Sequence, residues 1–124
     1  MWCRGIRGAT SVVANTREDI LAATRELLQE MVLSNEIEQE AVACMFFTTT
    51  ADLNAEFPAL AARQLGWKES ALLCCREIDV PDSMPKCIRV LILYNTEKKL
   101  EEINHIYLRG TEVLRREPEG LVEL

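Results

Sequence analysis

An arginine inside an otherwise apolar run is the feature that most constrains how this sequence can fold. Residues 87–93 read Cys-Ile-Arg-Val-Leu-Ile-Leu, with apolar side chains at six of the seven positions. Such a run is typical of a central β-strand that is buried on both faces. Arg89 cannot shed its charge, so removing it from water is costly unless an anion meets it. We therefore expect either Glu77, from the preceding apolar run, or an anionic ligand beside Arg89.

Composition and charge argue against several classes of protein. The chain has 124 residues, of which 48% are hydrophobic and 27% are charged, as in a single globular domain with one core. Its formal net charge of −6 and its lack of a basic block argue against nucleic-acid binding. No apolar run has membrane-spanning length, and the first residues contain no signal-peptide core, so we expect a cytoplasmic protein without a membrane partner.

The cysteines and the single histidine do not form a metal-binding pattern. Five cysteines, an odd number, lie mostly in apolar runs, which favours reduced thiols. Cys74 and Cys75 are adjacent rather than spaced as zinc ligands, and His105 has no second histidine to complete a site. We therefore expect no metal. A nucleophilic thiol pair at Cys74 and Cys75 stays open as an alternative, because its partners would meet only in the folded chain.

The remaining patterns predict an α+β domain with about five strands. Thr16 precedes apolar residues repeating at intervals of three and four, which predicts a long amphipathic helix ending near residues 34–35. Pro58 and Gly66 bracket a short helix. The other patterns predict strands over 3–13, 42–47, 72–78 and 87–93, a short charged helix over 97–104 and a closing hairpin over 105–114.

One long helix can cover only one face of such a mixed sheet. The other face also carries isoleucine and leucine side chains, so we expect another copy of the chain to cover it. The same patterns predict a single domain over 1–115 and a polar, flexible C-terminal tail over 116–124.

Several short motifs, in order along nearly the whole chain, carry a family resemblance. They are Arg4-Gly-Ile-Arg-Gly-Ala-Thr10, Asp52-Leu-Asn54, Phe57-Pro-Ala59, Leu65-Gly-Trp67, Glu77-Ile-Asp79, Cys87-Ile-Arg-Val90 and His105-Ile-Tyr-Leu108. Over roughly residues 3–115 the chain resembles the monofunctional chorismate mutases of the trimeric pseudo-α/β-barrel class. The resemblance implies a five-stranded mixed sheet with one long helix, in a homotrimer whose active sites lie in clefts between subunits. It also implies the rearrangement of chorismate to prephenate, in aromatic amino acid biosynthesis, without a cofactor.

The resemblance assigns roles to individual residues. It implies that Arg89 is the catalytic cation and that Glu77 accepts the ring hydroxyl of the substrate and orients Arg89. It implies that Arg7 and Tyr107 hold a carboxylate and that Cys74 lies beside the hydroxyl. Further residues would line the pocket or its mobile C-terminal edge: Arg63, Phe57, Leu72, Leu73, Leu114 and Arg115.

Two departures from the family pattern bear on this site. The family commonly has lysine where this chain has Leu60, and a neutral polar residue where it has Arg76. One cation that would attract the dianionic substrate is therefore missing, and another lies next to Glu77. In addition, Cys74 and Glu77 are three residues apart, so both can line one pocket only if the strand ends or bulges between them.

Two other classes of function stay open. A noncatalytic trimer could bind a small carboxylate in the same clefts, a hypothesis that Leu60 and Arg76 favour. A trimeric α+β enzyme acting on imine or enamine metabolites would need a carboxylate-binding arginine, but it would not account for Glu77 and Arg89 together. Structural roles are also open: Glu77 as only the ion-pair partner of Arg89, Tyr107 as a core or interface tyrosine, and the cysteines as small buried hydrophobes.

Overall fold

The computed structural model describes residues 1–115, and the predicted tail over 116–124 lies outside the described residues. The strands are β1 (Trp2–Ser11), β2 (Val42–Thr49), β3 (Ala71–Arg76), β4 (Cys87–Thr96) and β5 (Ile106–Tyr107), and the α-helices are α1 (Arg17–Asn35) and α2 (Ala59–Gln64). Short 3-10 helices cover Gln39–Ala41, Leu100–Glu102 and Thr111–Arg115. None of the helices in this part of the chain is long and apolar enough to cross a membrane.

The five strands form one mixed sheet in the order β3-β2-β4-β1-β5. The central strand β4 runs antiparallel to both β1 and β2, whereas the edge strands β3 and β5 run parallel to β2 and β1. The predicted α+β class, with a five-stranded mixed sheet and one long helix, is confirmed. The predicted central position of residues 87–93 is confirmed as well.

The long helix α1 covers one face of the sheet. Thr16 caps it as predicted, because its hydroxyl accepts a hydrogen bond from the backbone N–H of Asp19 at 3.1 Å. Its side chains Leu27, Leu28 and Met31 pack on the side of β4 that carries Val90, Ile92 and Tyr94, and all six are buried. These apolar residues alternate along β4, so they exclude water from the face beneath the helix.

Among residues 1–115, no helix covers the opposite side of the sheet, which we call the open face. Leu91 and Leu93 of β4 lie there, only half-buried, together with Arg89. The pairing register places Arg7 of β1 and Phe46 of β2 opposite Leu91. Within the described part of the chain, a face that carries leucine and phenylalanine next to two arginines is therefore left uncovered.

The predicted closing hairpin over 105–114 is wrong. The strand β5 pairs parallel with β1, and Thr111–Arg115 forms a 3-10 helix instead of a returning strand. Arg109 and Gly110 both have positive φ and turn the chain sharply. The buried hydroxyl of Thr111 lies 2.7 Å from the carbonyl oxygen of Leu108 and 3.1 Å from that of Ala9, which holds the segment as a turn.

The strand β1 packs closely against α1 at Gly8. An added Cβ there would overlap Met31 Sδ of α1 and lie 2.9 Å from Met31 Cε and 3.2 Å from Leu27 Cδ1. Met31 and Leu27 are fully buried and cannot move into solvent. Only glycine therefore allows β1 to pack this closely against α1.

We expect Gly8→Ala to destabilise the protein by ~1–3 kcal/mol, the usual cost of overpacking a core. Urea unfolding of the single variants and of Gly8→Ala/Met31→Ala would measure the coupling. Met31→Ala alone should cost ~2–5 kcal/mol, but it vacates the space that the new methyl needs. The double variant should therefore be more stable than the sum of the two single losses. Strict additivity would contradict the close approach.

Candidate active site

A cavity of about 210 Å³ lies on the open face, and we call it the open-face cavity. It combines cationic, anionic, hydroxyl and apolar groups, contributed by Arg7, Thr48, Glu77, Arg89, Tyr107 and Leu114. These residues come from β1, β2, β4, β5 and the segments after β3 and β5. The sheet thus brings together side chains that are far apart in the sequence.

The ion pair between Arg89 and Glu77 forms one wall of the open-face cavity. Arg89 Nε lies 3.3 Å from Glu77 Oε2, and both side chains are about four-fifths buried, with 21% and 20% exposed. Thr48 donates its hydroxyl hydrogen to the same oxygen of Glu77. Glu77 therefore supplies an anion beside Arg89, which was one of the two alternatives that the sequence predicted. The ion pair keeps the guanidinium of Arg89 beside the carboxylate of Glu77.

The lining of the open-face cavity carries an excess of positive charge. Among residues 1–115, the lining includes Arg7 and Arg89, which carry guanidinium groups, and one residue with a carboxylate, Glu77. The phenol of Tyr107 adds a neutral hydrogen-bond donor beside them. This lining therefore favours the binding of a small anion that carries a carboxylate group.

The end of β3 explains how Glu77 reaches the open-face cavity. The strand ends at Arg76, and the backbone N–H of Glu77 donates to the carbonyl oxygen of Thr49 at 2.9 Å. The predicted break between Cys74 and Glu77 is therefore present. The two side chains nevertheless line different cavities: Glu77 the open-face cavity, and Cys74 a depression at the edge of the sheet.

This second site, the edge depression, has a volume of about 410 Å³ and lies between α2 and β3. It contains five of the predicted site residues, namely Phe57, Arg63, Leu72, Leu73 and Cys74. Leu60 also lines it, and Phe57 is 71% exposed. Arg76 is exposed in an adjoining pocket, which it shares with Phe57 and Cys74. Both departures from the family pattern therefore belong to this edge of the sheet.

The surroundings of Cys74 favour its protonated thiol over the thiolate. Burial raises the pKa of Cys74 and the neighbouring Cys75 adds to this effect, whereas the backbone of Ala59 and the charge of Arg63 oppose it. A raised pKa disfavours the thiolate, which is the nucleophilic form of cysteine. The alternative of a nucleophilic thiol pair gains no support from this environment.

Sequence reasoning missed several contributors to the open-face cavity. Thr48 and Phe46 line it, and only their place in the strand beside β4 reveals this. The contact of His105 was also missed: it does not line the cavity, but its Nδ1 accepts the backbone N–H of Arg7, a lining residue, at 2.9 Å. The side chain of Arg115 lies outside the described residues, so its predicted role stays a prediction. Among residues 1–115, no cluster of three or more His, Cys, Asp or Glu side chains could hold a metal ion.

Comparisons with known proteins point to one family. The family model for chorismate mutase type I matches residues 3–118. The chorismate mutase AroH of Thermus thermophilus is 48% identical over 118 residues, covering 94% of this chain and 97% of that protein. The chorismate mutase AroH of Bacillus subtilis (strain 168) is 42% identical over 116 residues, covering 93% and 91%.

A solved structure agrees with this assignment. A chorismate mutase from Clostridium thermocellum has a TM-score of 0.88 and 49% sequence identity, over 92% of this chain and all of that one. The fold and the sequence therefore agree along nearly the full described length. The chain belongs to the type I chorismate mutase family.

Proposed function

We propose that this protein is a chorismate mutase that converts chorismate to prephenate by holding the reactive conformer and stabilising developing charge. The observation that carries the proposal is the guanidinium of Arg89, held by Glu77 in a cavity that Arg7 and Tyr107 also line. Chorismate has two carboxylates, a ring hydroxyl and an ether oxygen. The lining offers groups of suitable chemistry for the ring hydroxyl, the ether oxygen and one of the carboxylates.

The reaction demands little covalent chemistry from the protein. It is one concerted rearrangement in which a C–O bond breaks while a C–C bond forms, without proton transfer or a nucleophile. Negative charge develops on the departing ether oxygen, so a preorganised cation next to that oxygen lowers the barrier. The rest of the rate increase comes from holding the two reacting ends together.

The residues of the open-face cavity divide this work. Arg89 donates to the ether oxygen and stabilises its charge, while Glu77 accepts the ring hydroxyl and keeps the guanidinium oriented. Arg7 and Tyr107 hold one carboxylate. By holding this carboxylate, Arg7 and Tyr107 keep the ether oxygen of the substrate next to Arg89. The charge of Arg89 can then stabilise the transition state.

The complete site forms between two subunits of a homotrimer. Among the described residues, the open-face cavity and the edge depression share no lining residue, although both contain groups expected at one site. The uncovered leucine and phenylalanine side chains of the open face favour a closed ring of copies. In that ring, the edge depression of one subunit, with Arg63 and Phe57, covers the open-face cavity of the next.

We also infer a cytoplasmic location, in line with a biosynthetic reaction and with the free thiols of Cys3, Cys44, Cys74 and Cys75.

The mechanism predicts that the charge of Arg89, rather than its shape, drives the reaction. Arg89→citrulline keeps the shape and part of the N–H donors but removes the charge, so kcat for chorismate loss should fall by at least ~10², with KM changed far less. Arg109→citrulline is the matched control, because Arg109 pairs with Glu26 at 3.0 Å outside both cavities. The control should keep full activity. A normal kcat in the Arg89 variant would exclude charge stabilisation by Arg89.

Tight chorismate binding without turnover in the unmodified protein would select the noncatalytic alternative.

The shared site predicts that two inactive variants complement each other. Arg89→Ala disables the open-face cavity and Arg63→Ala the edge depression, so each homotrimer should lose most of its activity. Trimers refolded from an equal mixture should contain an intact site at about a quarter of their clefts, because random assembly combines the two undamaged halves there. Activity of the mixture should therefore exceed the sum of the separately refolded controls. No gain, or a stable monomer in sedimentation, would contradict the shared cleft.

A concerted mechanism also predicts that Cys74 is dispensable as a nucleophile. Cys74→Ala should keep kcat within about tenfold, because only the positioning of the hydroxyl suffers. Because the pKa of Cys74 is raised, its rate of alkylation by iodoacetamide should reach half of its maximum at a higher pH than the rate of a free cysteine control. Mass spectrometry of the labelled peptide would measure both rates. A covalent substrate adduct on Cys74 during turnover would overturn the mechanism.

A further inference from the structure

The edge strand β5 is too short to hold itself in place. It contains only Ile106 and Tyr107, which pair with Gly8 and Ala9 of β1. One further backbone bond, from Leu108 N–H to the carbonyl oxygen of Ala9 at 2.9 Å, extends the pairing. Two residues of strand leave its position weakly determined. The position of Tyr107 in the open-face cavity therefore depends on side chains that anchor β5.

The buried Asn35 of α1 holds the chain just before β5: its Oδ1 accepts the backbone N–H of Asn104 at 2.8 Å, and its Nδ2 donates to the carbonyl oxygen of Asn104 at 2.9 Å. Two further side chains tie the segment to β1, one from each end of β5. After the strand, the hydroxyl of Thr111 lies against the carbonyl oxygens of Ala9 and Leu108. Before the strand, the imidazole of His105 folds back, and its Nδ1 accepts the backbone N–H of Arg7 at 2.9 Å. The His105 anchor differs from the Thr111 anchor because its partner is itself a residue of the cavity lining.

The hydrogen bond between Arg7 and His105 joins the backbones from which two lining groups project. Arg7 extends its guanidinium into the lining, and Tyr107, two residues after His105, extends its phenol into the same lining. A backbone N–H can only donate, so Nδ1 must be unprotonated and the imidazole proton must lie on Nε2. A water molecule could satisfy an edge amide, but it would not tie the start of β5 to Arg7.

We propose that His105 is a positioning residue that sets the separation of Arg7 and Tyr107, the pair that would hold a substrate carboxylate. This inference rests on the proposed function and deepens it. Arg7 and Tyr107 contact the carboxylate in both the ground state and the transition state. A loss of their alignment should therefore weaken binding more than it slows the chemical step.

Two substitutions of His105 separate positioning from bulk. In His105→Asn, the side-chain Oδ1 can accept the Arg7 N–H from a place close to that of Nδ1, whereas His105→Leu keeps the size and removes the acceptor. The leucine variant should raise KM for chorismate about tenfold, the equivalent of one hydrogen bond. Its kcat should change much less. The asparagine variant should restore KM to within about threefold of the unmodified protein.

A matched control removes a hydrogen bond of purely structural character. The hydroxyl of Thr24, inside α1, donates to the carbonyl oxygen of Ile20 at 2.7 Å and lies outside both cavities. Thr24→Val should lower the melting temperature without changing KM. If His105→Leu behaves in the same way, with a lower melting temperature and a normal KM, the positioning role is wrong. Equal KM values in the leucine and asparagine variants would also overturn it.

Amide hydrogen exchange tests the hydrogen bond without any substrate. The Arg7 amide should lose protection in His105→Leu and keep it in His105→Asn, measured by NMR on the full chain. If the unmodified protein does not consume chorismate, the proposed function fails, while this exchange pattern would still support the anchoring contact. Unchanged protection in His105→Leu would overturn the inference even in a fully active enzyme.

Discussion

The ion pair between Arg89 and Glu77 is the contact on which the rest of the site depends. A guanidinium on a central strand loses most of its hydration, and only a nearby carboxylate offsets that cost. Glu77 meets Arg89 because β3 ends one residue earlier and because Thr48 donates to the same carboxylate oxygen. Removing either residue would break this largely buried ion pair, which typically costs ~3–5 kcal/mol.

The same contact gives the open-face cavity its chemical character. Glu77 neutralises one of the two arginines in the lining, so a net positive charge is left for a ligand. Because Arg89 is already oriented by Glu77, little reorganisation is needed when charge develops on a bound molecule. Arg89 therefore contributes to the stability of the fold through its ion pair and is also the residue proposed for catalysis, and Glu77 takes part in both.

The two faces of the sheet have different tasks. The face beneath α1 is a dry core, where Gly8 lets β1 approach Met31 closely. The open face keeps half-buried leucines beside charged groups, an arrangement that suits a cleft closed by a second copy of the chain. The edge strand β5 contains only two residues, so the hydrogen bonds of the His105 and Thr111 side chains contribute to its position.

The sequence by itself determined the types of the main elements and the need of Arg89 for an anion. Alternating and helical apolar periods identify the central strand and α1, and Thr16 marks where that helix begins, because these signals are local. The motifs also led to the family and to most of the charged lining, including Arg7 and Glu77. The local pattern predicts these features because the polarity of each residue and the spacing of apolar residues can be read directly from the sequence.

Only the tertiary structure decided which of these groups meet. The parallel pairing of β5, the turn at Thr111, and the separation of Cys74 from Glu77 all depend on contacts between distant segments. The bond from Arg7 to His105 joins residues 98 positions apart and leaves no periodic trace in the chain. Pairing between remote strands is set by the packing of the whole sheet, which no local pattern specifies.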